Sequence, residues 1–278
     1  MTKRIVTAAV GIPLLMLVIL RLPIWVSGLM MGLLCAGAAV EFMRCVNPEL
    51  KIRVAAAPTL SAFVMPLWLS LRGEGASLYT ISYWLFFALF IQLIHSFREE
   101  KRLDLHQIMA GLAAGAVMPI LLSSLIRIEL RGALGRLNML LPFVIAFSCD
   151  GGAFFIGRAI GRRKLAPHLS PNKTREGAAG GILCGTAGSL LYGAVLTALG
   201  YRVRFALLAG YGLLGSVFCE LGDLSFSAAK RICGIKDYGD IIPGHGGVLD
   251  RFDSMYFTAP LLEILTFWFP AILLTEAL

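Results

Sequence analysis

Apolar residues run through most of this chain in stretches about as long as a bilayer is thick, and polar residues collect between them. Nine such stretches can be marked, at approximately 5–20, 22–43, 54–71, 77–97, 108–126, 138–157, 178–199, 205–225 and 255–275. Each is close to the 17–25 residues that cross hydrocarbon as an α-helix. Pro23, Glu41 and Pro58 interrupt the second and third. No segment alternates apolar and polar positions as a membrane barrel strand does, and an open sheet cannot satisfy its backbone in lipid. The pattern predicts an all-α fold: a polytopic integral membrane helical bundle of about nine transmembrane helices.

Composition agrees. The chain is 58% hydrophobic and 15% charged, against about 25% charged for a soluble domain, and its mean hydropathy is +0.79. Lys3 and Arg4 precede the first apolar run and no small-residue cleavage site follows cleanly, so that run reads as a retained span. Eighteen of the 25 Lys and Arg residues fall at the N-terminus or in the connections near 44–53, 98–102, 158–175 and 230–251. The positive-inside rule makes that side cytoplasmic, with the N-terminus cytoplasmic; the plasma (inner) membrane is the expected location. The net charge of +8 is accounted for by this bias and by contact with anionic lipid heads. No nucleic-acid-binding pattern is present. The six cysteines form no C-x-x-C pair and read as small buried apolar residues.

The chain divides into an N-terminal scaffold, 1–137, of about five helices with little chemistry, and a C-terminal region, 138–278, of about four helices that carries nearly every unusual polar feature. Glu41 and His95 read as interface residues near span ends. No internal repeat is visible, which weighs against an inverted-repeat transporter.

Three polar segments stand out. The densest is 220–254. Glu220, Asp223, Ser227 and Lys230 are spaced 3, 4 and 3 apart, which places them on one face of a helix at the end of the eighth span. Two carboxylates with a hydroxyl and an ammonium above them suit a cation and a phosphate. A Lys–carboxylate pair that packs helices is the plainer alternative. Downstream, Gly246 and Gly247 adjoin His245 and precede Asp250, Arg251 and Asp253. Glycines allow close backbone approach and positive φ, and a helix N-terminus favours anions. Asp250 and Asp253 are three apart and are expected on one helix face, although carboxylates there are also ordinary helix stabilisers. His245 suits phosphate better than metal, because Mg²⁺ takes oxygen ligands.

In the second segment Asp150 lies deep in the sixth span beside Gly151 and Gly152. An isolated ionised Asp there costs about 2.5–3.5 kcal/mol on insertion scales, so it has either a role in a site or a partner such as Arg158. In the third, Lys173-Thr174 lacks the glycine lead of a P-loop. Thr174 is instead placed to cap the seventh span, with Arg175 and Glu176 in its first turn. Lys173 and Arg175 then sit at a positive helix end, suited to phosphates or simply to a cytoplasmic flank.

Taken together, these segments resemble the phosphatidate cytidylyltransferase (CDP-diacylglycerol synthase) family. The resemblance rests on Ser227 to Asp253, read as Ser-x-x-Lys-Arg-x-x-Gly-x-Lys-Asp…Pro-Gly-His-Gly-Gly-x-x-Asp-Arg-x-Asp; on Lys164-Leu-Ala-Pro…Ser170-Pro-Asn-Lys-Thr-x-Glu-Gly177; and on Asp150-Gly-x-Ala-Phe-Phe-x-Gly-Arg158. It covers the C-terminal half well and the N-terminal half by span count. Arg175 stands where the family usually has Trp, Gly151 where a hydroxyl residue is common, and Phe154 where Tyr is usual.

The resemblance implies transfer of CMP from CTP to phosphatidic acid, giving CDP-diacylglycerol and pyrophosphate, with the bilayer as setting and a homodimer compatible with it. It implies Mg²⁺ and a second cation such as K⁺. Asp223 and Asp250 are expected as principal metal ligands, with Asp150, Glu220 and Asp253 in support. Lys230, Arg231 and Arg251 are expected in the catalytic group, and Lys173, Thr174, Arg175, Ser227, Lys236, His245, Gly246 and Gly247 at the substrates. A CTP-dependent polyprenol or lipid kinase, a CDP-ether-lipid synthase and a membrane transporter remain as alternatives.

Overall fold

The computed structural model describes residues 16–49, 52–73, 77–97, 103–239 and 246–274. Among them are seven helices long and apolar enough to cross a membrane: α1 (Ile24–Val46), α2 (Ile52–Arg72), α3 (Ser77–Ser96), α4 (Leu105–Leu130), α5 (Gly135–Ile160), α6 (Arg175–Ala198) and α7 (Phe205–Ile232). Two shorter helices follow, α8 (Leu249–Phe252) and α9 (Met255–Trp268). The molecule is an all-α polytopic membrane protein.

Seven of the expected spans have a long helix at their place. The first, 5–20, falls largely outside the described residues. The ninth was expected over 255–275, but α9 ends at Trp268. Pro270 has no N–H to continue the ladder and disfavours helical backbone in the residue before it, and Phe269 indeed sits at φ −133°. The residues beyond form a strand instead. Pro23, Glu41 and Pro58 do not break their helices. Pro23 is the N-cap of α1, whereas Glu41 and Pro58 lie inside α1 and α2. Membrane helices tolerate such residues where neighbouring helices satisfy the freed groups.

The chain forms two compact units. The first comprises Met1–Leu130 and Ile232–Phe252. Its main contact is α1 against α2, and it depends on a missing side chain. A Cβ on Gly32 would lie 2.5 Å from the Phe63 carbonyl oxygen. Small residues that let backbones approach in this way are a common device of membrane helix pairs. α4 contains a π-helical turn at Ala113–Val117. There the Ser61 hydroxyl donates to the Gly115 carbonyl at 2.7 Å, so α2 satisfies a backbone group that the irregular turn presents.

The second unit comprises Arg131–Arg231 and Asp253–Leu278. α5 and α6 pack closely: a Cβ on Gly152 would meet the Cys184 side chain at 2.4 Å. Between them the chain makes a hairpin of β1 (Lys164–Ala166) and β2 (Ser170–Thr174), paired antiparallel. A second small pair joins β3 (Arg202–Val203) to β4 (Ile272–Leu273). Leu141, Ile145, Leu196, Leu208, Tyr211, Leu262 and Ile272 form the buried core. The Tyr211 hydroxyl donates to the carbonyls of Leu265 and Phe269 at the frayed end of α9. None of the four short strands was legible in the hydropathy pattern. All six cysteines are free thiols.

Candidate active site

The last turns of α7 and the β1–β2 hairpin build one polar cluster in the second unit. Thr174 ends β2 and caps α6, its hydroxyl accepting from the Gly177 N–H at 3.1 Å. Glu176 in the first turn accepts from the Arg162 and Arg163 N–H groups, which closes the base of the hairpin. The hairpin is then tied to α7 at two points. Lys173 Nζ stands 2.6 Å from Glu220 Oε2 and 2.8 Å from Asp223 Oδ2. Four residues back, the Leu169 carbonyl accepts from Arg231 Nε at 3.2 Å.

Lys173, Glu220 and Asp223 are a three-member ion cluster with little water around it. The side chains are 20%, 9% and 28% exposed, respectively. Burial works against the charge on Lys173, but Asp223 and then Glu220 outweigh it and hold the ammonium above the ordinary lysine range. Ser227, one turn on, donates to Asp223 Oδ1 at 3.2 Å. The shared face expected from the 3-and-4 spacing is thus observed.

Two more carboxyl groups act on the cluster. Asp150 on α5 accepts from the Cys219 thiol at 3.6 Å. Asp253 is 8% exposed and accepts from the Ser254 N–H at 2.7 Å. Burial, and next the charge of Asp223, push its carboxyl up to about 7, with Ser254 and Lys230 acting in the other direction. Four carboxyl groups therefore meet two ammonium groups. No set of three or more His, Cys, Asp or Glu side chains among the described residues is gathered to hold a metal ion. Lys173 is the cation seated between Glu220 and Asp223.

Asp250 belongs to the first unit. Its Oδ2 accepts from the Tyr238 N–H at 2.9 Å and from the Gly247 N–H at 3.2 Å, so it draws together the two ends of the loop. Gly246 takes φ +85°, a backbone conformation that favours glycine. Lys236 and Arg251 are exposed. His245 lies outside the described residues. The single helix face expected for Asp250 and Asp253 is not formed: α8 stops at Phe252, and Asp253 and Ser254 form a turn before α9. The Asp253 carboxyl bonds its neighbour's N–H, and such local bonds compete with helix.

Glu41 has a larger part than its sequence position suggested. It is 2% exposed within α1, where an uncompensated charge costs about 2.5–3.5 kcal/mol. Its two oxygens accept from the Val248 and Leu249 N–H groups at 2.9 and 2.8 Å. An acidic residue inside an apolar span was the available signal. Its partners are 207 and 208 residues away. Thr174 was expected at the substrate; the structure shows it buried as the cap of α6. Arg175 is exposed beside it. At Gly151, which stands where the family commonly has a hydroxyl residue, a Cβ would meet nothing within 4 Å.

Fold and cluster together define a polytopic membrane protein with a cationic and carboxylate site at the end of its α7 helix. The model of the Cytidylyltransferase family matches residues 2–269, and the chain belongs to that family. It is similar to a protein of Staphylococcus aureus (strain COL) named phosphatidate cytidylyltransferase, 46% identical over 127 residues, or 46% of this chain and 48% of the relative. A Bacillus subtilis (strain 168) protein of the same name is 46% identical over 122 residues, 44% of each chain. A Staphylococcus saprophyticus protein of that name is 43% identical over 127 residues, 46% of this chain and 48% of the relative. In these comparisons the chain spans about half the length of the relatives it matches.

Proposed function

We propose that this protein transfers the cytidylyl group of CTP to phosphatidic acid, forming CDP-diacylglycerol and releasing pyrophosphate in phospholipid biosynthesis. Membership of the Cytidylyltransferase family and the shared name of the relatives support the reading. The observation that carries it is Lys173 held between Glu220 and Asp223 at the end of an apolar helix. That arrangement supplies a fixed cation and a carboxylate pair where a membrane lipid and a water-borne nucleotide can meet.

An oxygen of the lipid phosphate attacks the α-phosphorus of CTP. The bond from that phosphorus to the bridging oxygen of the β-phosphate breaks, and its electron pair leaves with pyrophosphate. The lipid phosphate is already anionic near neutral pH, so no side chain serves as nucleophile. The barrier lies in bringing anions together and stabilising charge on the leaving group. Lys173, Lys230, Arg231 and Arg175 neutralise phosphate oxygens in the second unit. In the first unit Lys236 and Arg251, both exposed, are assigned to phosphate contact.

The donor chemistry fits Mg²⁺: the carboxyl groups outnumber the ammonium groups, and every donor is oxygen. Mg²⁺ held together with nucleotide phosphates takes one or two protein carboxylates. Glu220 and Asp223 would hold it, and it would supply positive charge to the phosphates. We place the α7 end in the cytoplasm from the Lys and Arg distribution. A cysteine replacing the exposed Lys164 in a cysteine-free background should then be labelled by an impermeant maleimide only after the membrane is opened.

The decisive assay is pyrophosphate release by purified protein, with CTP and phosphatidic acid omitted in turn. Release that persists without phosphatidic acid, or recovery of a phosphorylated lipid without CMP, would refute the reading.

A further inference from the structure

We propose that Glu41 is a positioning residue for the segment 246–252, whose short helix α8 carries Asp250 and Arg251, although it lies in the N-terminal scaffold. The proposal rests on the reading that this segment takes part in the transfer reaction. Four observations within the first unit support it. The Glu41 side chain is buried in α1. Its two oxygens accept from consecutive backbone N–H groups, Val248 and Leu249, at 2.9 and 2.8 Å. Glycines close on it from both ends of the loop: a Cβ on Gly239 would lie 2.7 Å from Oε1, and one on Gly247 would lie 2.6 Å from Oε2. Asp250 then takes the next two N–H groups, those of Tyr238 and Gly247. The two carboxyl groups thus divide four backbone donors, and Glu41 holds the pair on which Asp250 and Arg251 follow directly.

Glycine is required here because the backbone packs onto the carboxyl group itself. A buried group that only anchored α1 would not need two glycines from a distant loop. Charge-assisted bonds from a carboxylate to backbone N–H groups are short and directional. Glutamine at this position keeps the shape but turns an NH₂ donor toward one of the two N–H donors, so one bond is lost and one donor is left buried without an acceptor.

The test uses the full-length protein in detergent or nanodiscs, with two variants. Glu41→Gln removes one acceptor. Gly239→Ala leaves the carboxyl group present but crowds it out. Hydrogen exchange followed by mass spectrometry reads the loop without any substrate. Both variants should speed exchange of the 246–252 amides at least tenfold while leaving the α2 amides unchanged. Turnover with CTP and phosphatidic acid should lose at least tenfold in kcat, with KM for CTP within about threefold, because a misplaced loop lowers the rate of reaction of bound substrates. Unchanged loop exchange in Glu41→Gln would overturn the proposal, as would kcat within twofold of the parent. A parent that shows the exchange behaviour but no cytidylyl transfer would refute the functional reading and leave Glu41 as the organiser of the loop.

Discussion

Lys173 Nζ lies 2.6 Å from Glu220 Oε2, which joins the hairpin between α5 and α6 to the third helix of the same unit. The contact also separates two carboxylates on neighbouring turns of α7, because Asp223 shares the same ammonium at 2.8 Å. Replacing Lys173 by Met leaves two partly buried like charges facing each other. Breaking a buried pair typically costs about 3–5 kcal/mol. With Lys173 20% exposed, a loss of about 3 kcal/mol is expected. The thermal midpoint should fall, and Lys173→Met combined with Glu220→Gln should recover part of it. A double-mutant cycle with no coupling between the two positions would contradict this account.

Asp253 makes stability depend on pH. Its carboxyl is pushed up to about 7 by burial and by Asp223, whereas an unfolded Asp titrates at about 3.9. The folded protein therefore holds the extra proton between these values. Its contribution to stability is fully present below about 4, is lost as pH rises toward 7 and stays lost above it. Asp253→Asn cannot ionise, so its unfolding free energy should fall less over the same range, by an amount on the order of a few kcal/mol. Parallel pH profiles for parent and variant would contradict the shift.

The α6 cap gives a separable effect. Thr174→Val removes the acceptor for the Gly177 N–H and should cost about 1 kcal/mol. Thr174→Ser should cost much less. Because Lys173 is the adjacent residue, cytidylyl transfer should decline with Val and persist with Ser. Equal midpoints for the two variants would show that the hydroxyl contributes nothing.

Close packing in the first unit can be tested at Gly32. Alanine there must displace the Phe63 carbonyl, which would stand 2.5 Å from the new Cβ. Overpacking of this kind costs about 1–3 kcal/mol. A lower midpoint is the expected outcome, and an unchanged one would mean that α1 and α2 separate easily.

Asp223→Asn addresses the site directly. Its midpoint should fall less than that of Lys173→Met, since Glu220 still pairs with the ammonium, while transfer should drop at least tenfold. Near-normal CTP-dependent turnover would remove Asp223 from the site.

Much of the architecture was legible in the chain. Hydropathy located seven of the long helices, and the Thr174 cap and the shared face of Glu220, Asp223 and Ser227 followed from spacing alone. The end of α9 was misjudged because an apolar run continues past Pro270, and hydropathy does not see a missing N–H. The turn at Asp253 and Ser254 was missed because the Asp253 carboxyl accepts from the Ser254 N–H and hydroxyl where helix periodicity predicted continuation.

What the amino-acid sequence determined by itself was local. Runs of about 20 apolar residues become helices because lipid offers no other partner for the backbone, and residues three or four apart share a face because a turn holds 3.6. Only the tertiary structure decided which polar groups meet. Lys173 finds Glu220 across 47 residues, and Glu41 finds Val248 across 207. Buried charges and backbone donors must be satisfied by whatever the fold brings near, and distance along the chain does not enter that requirement.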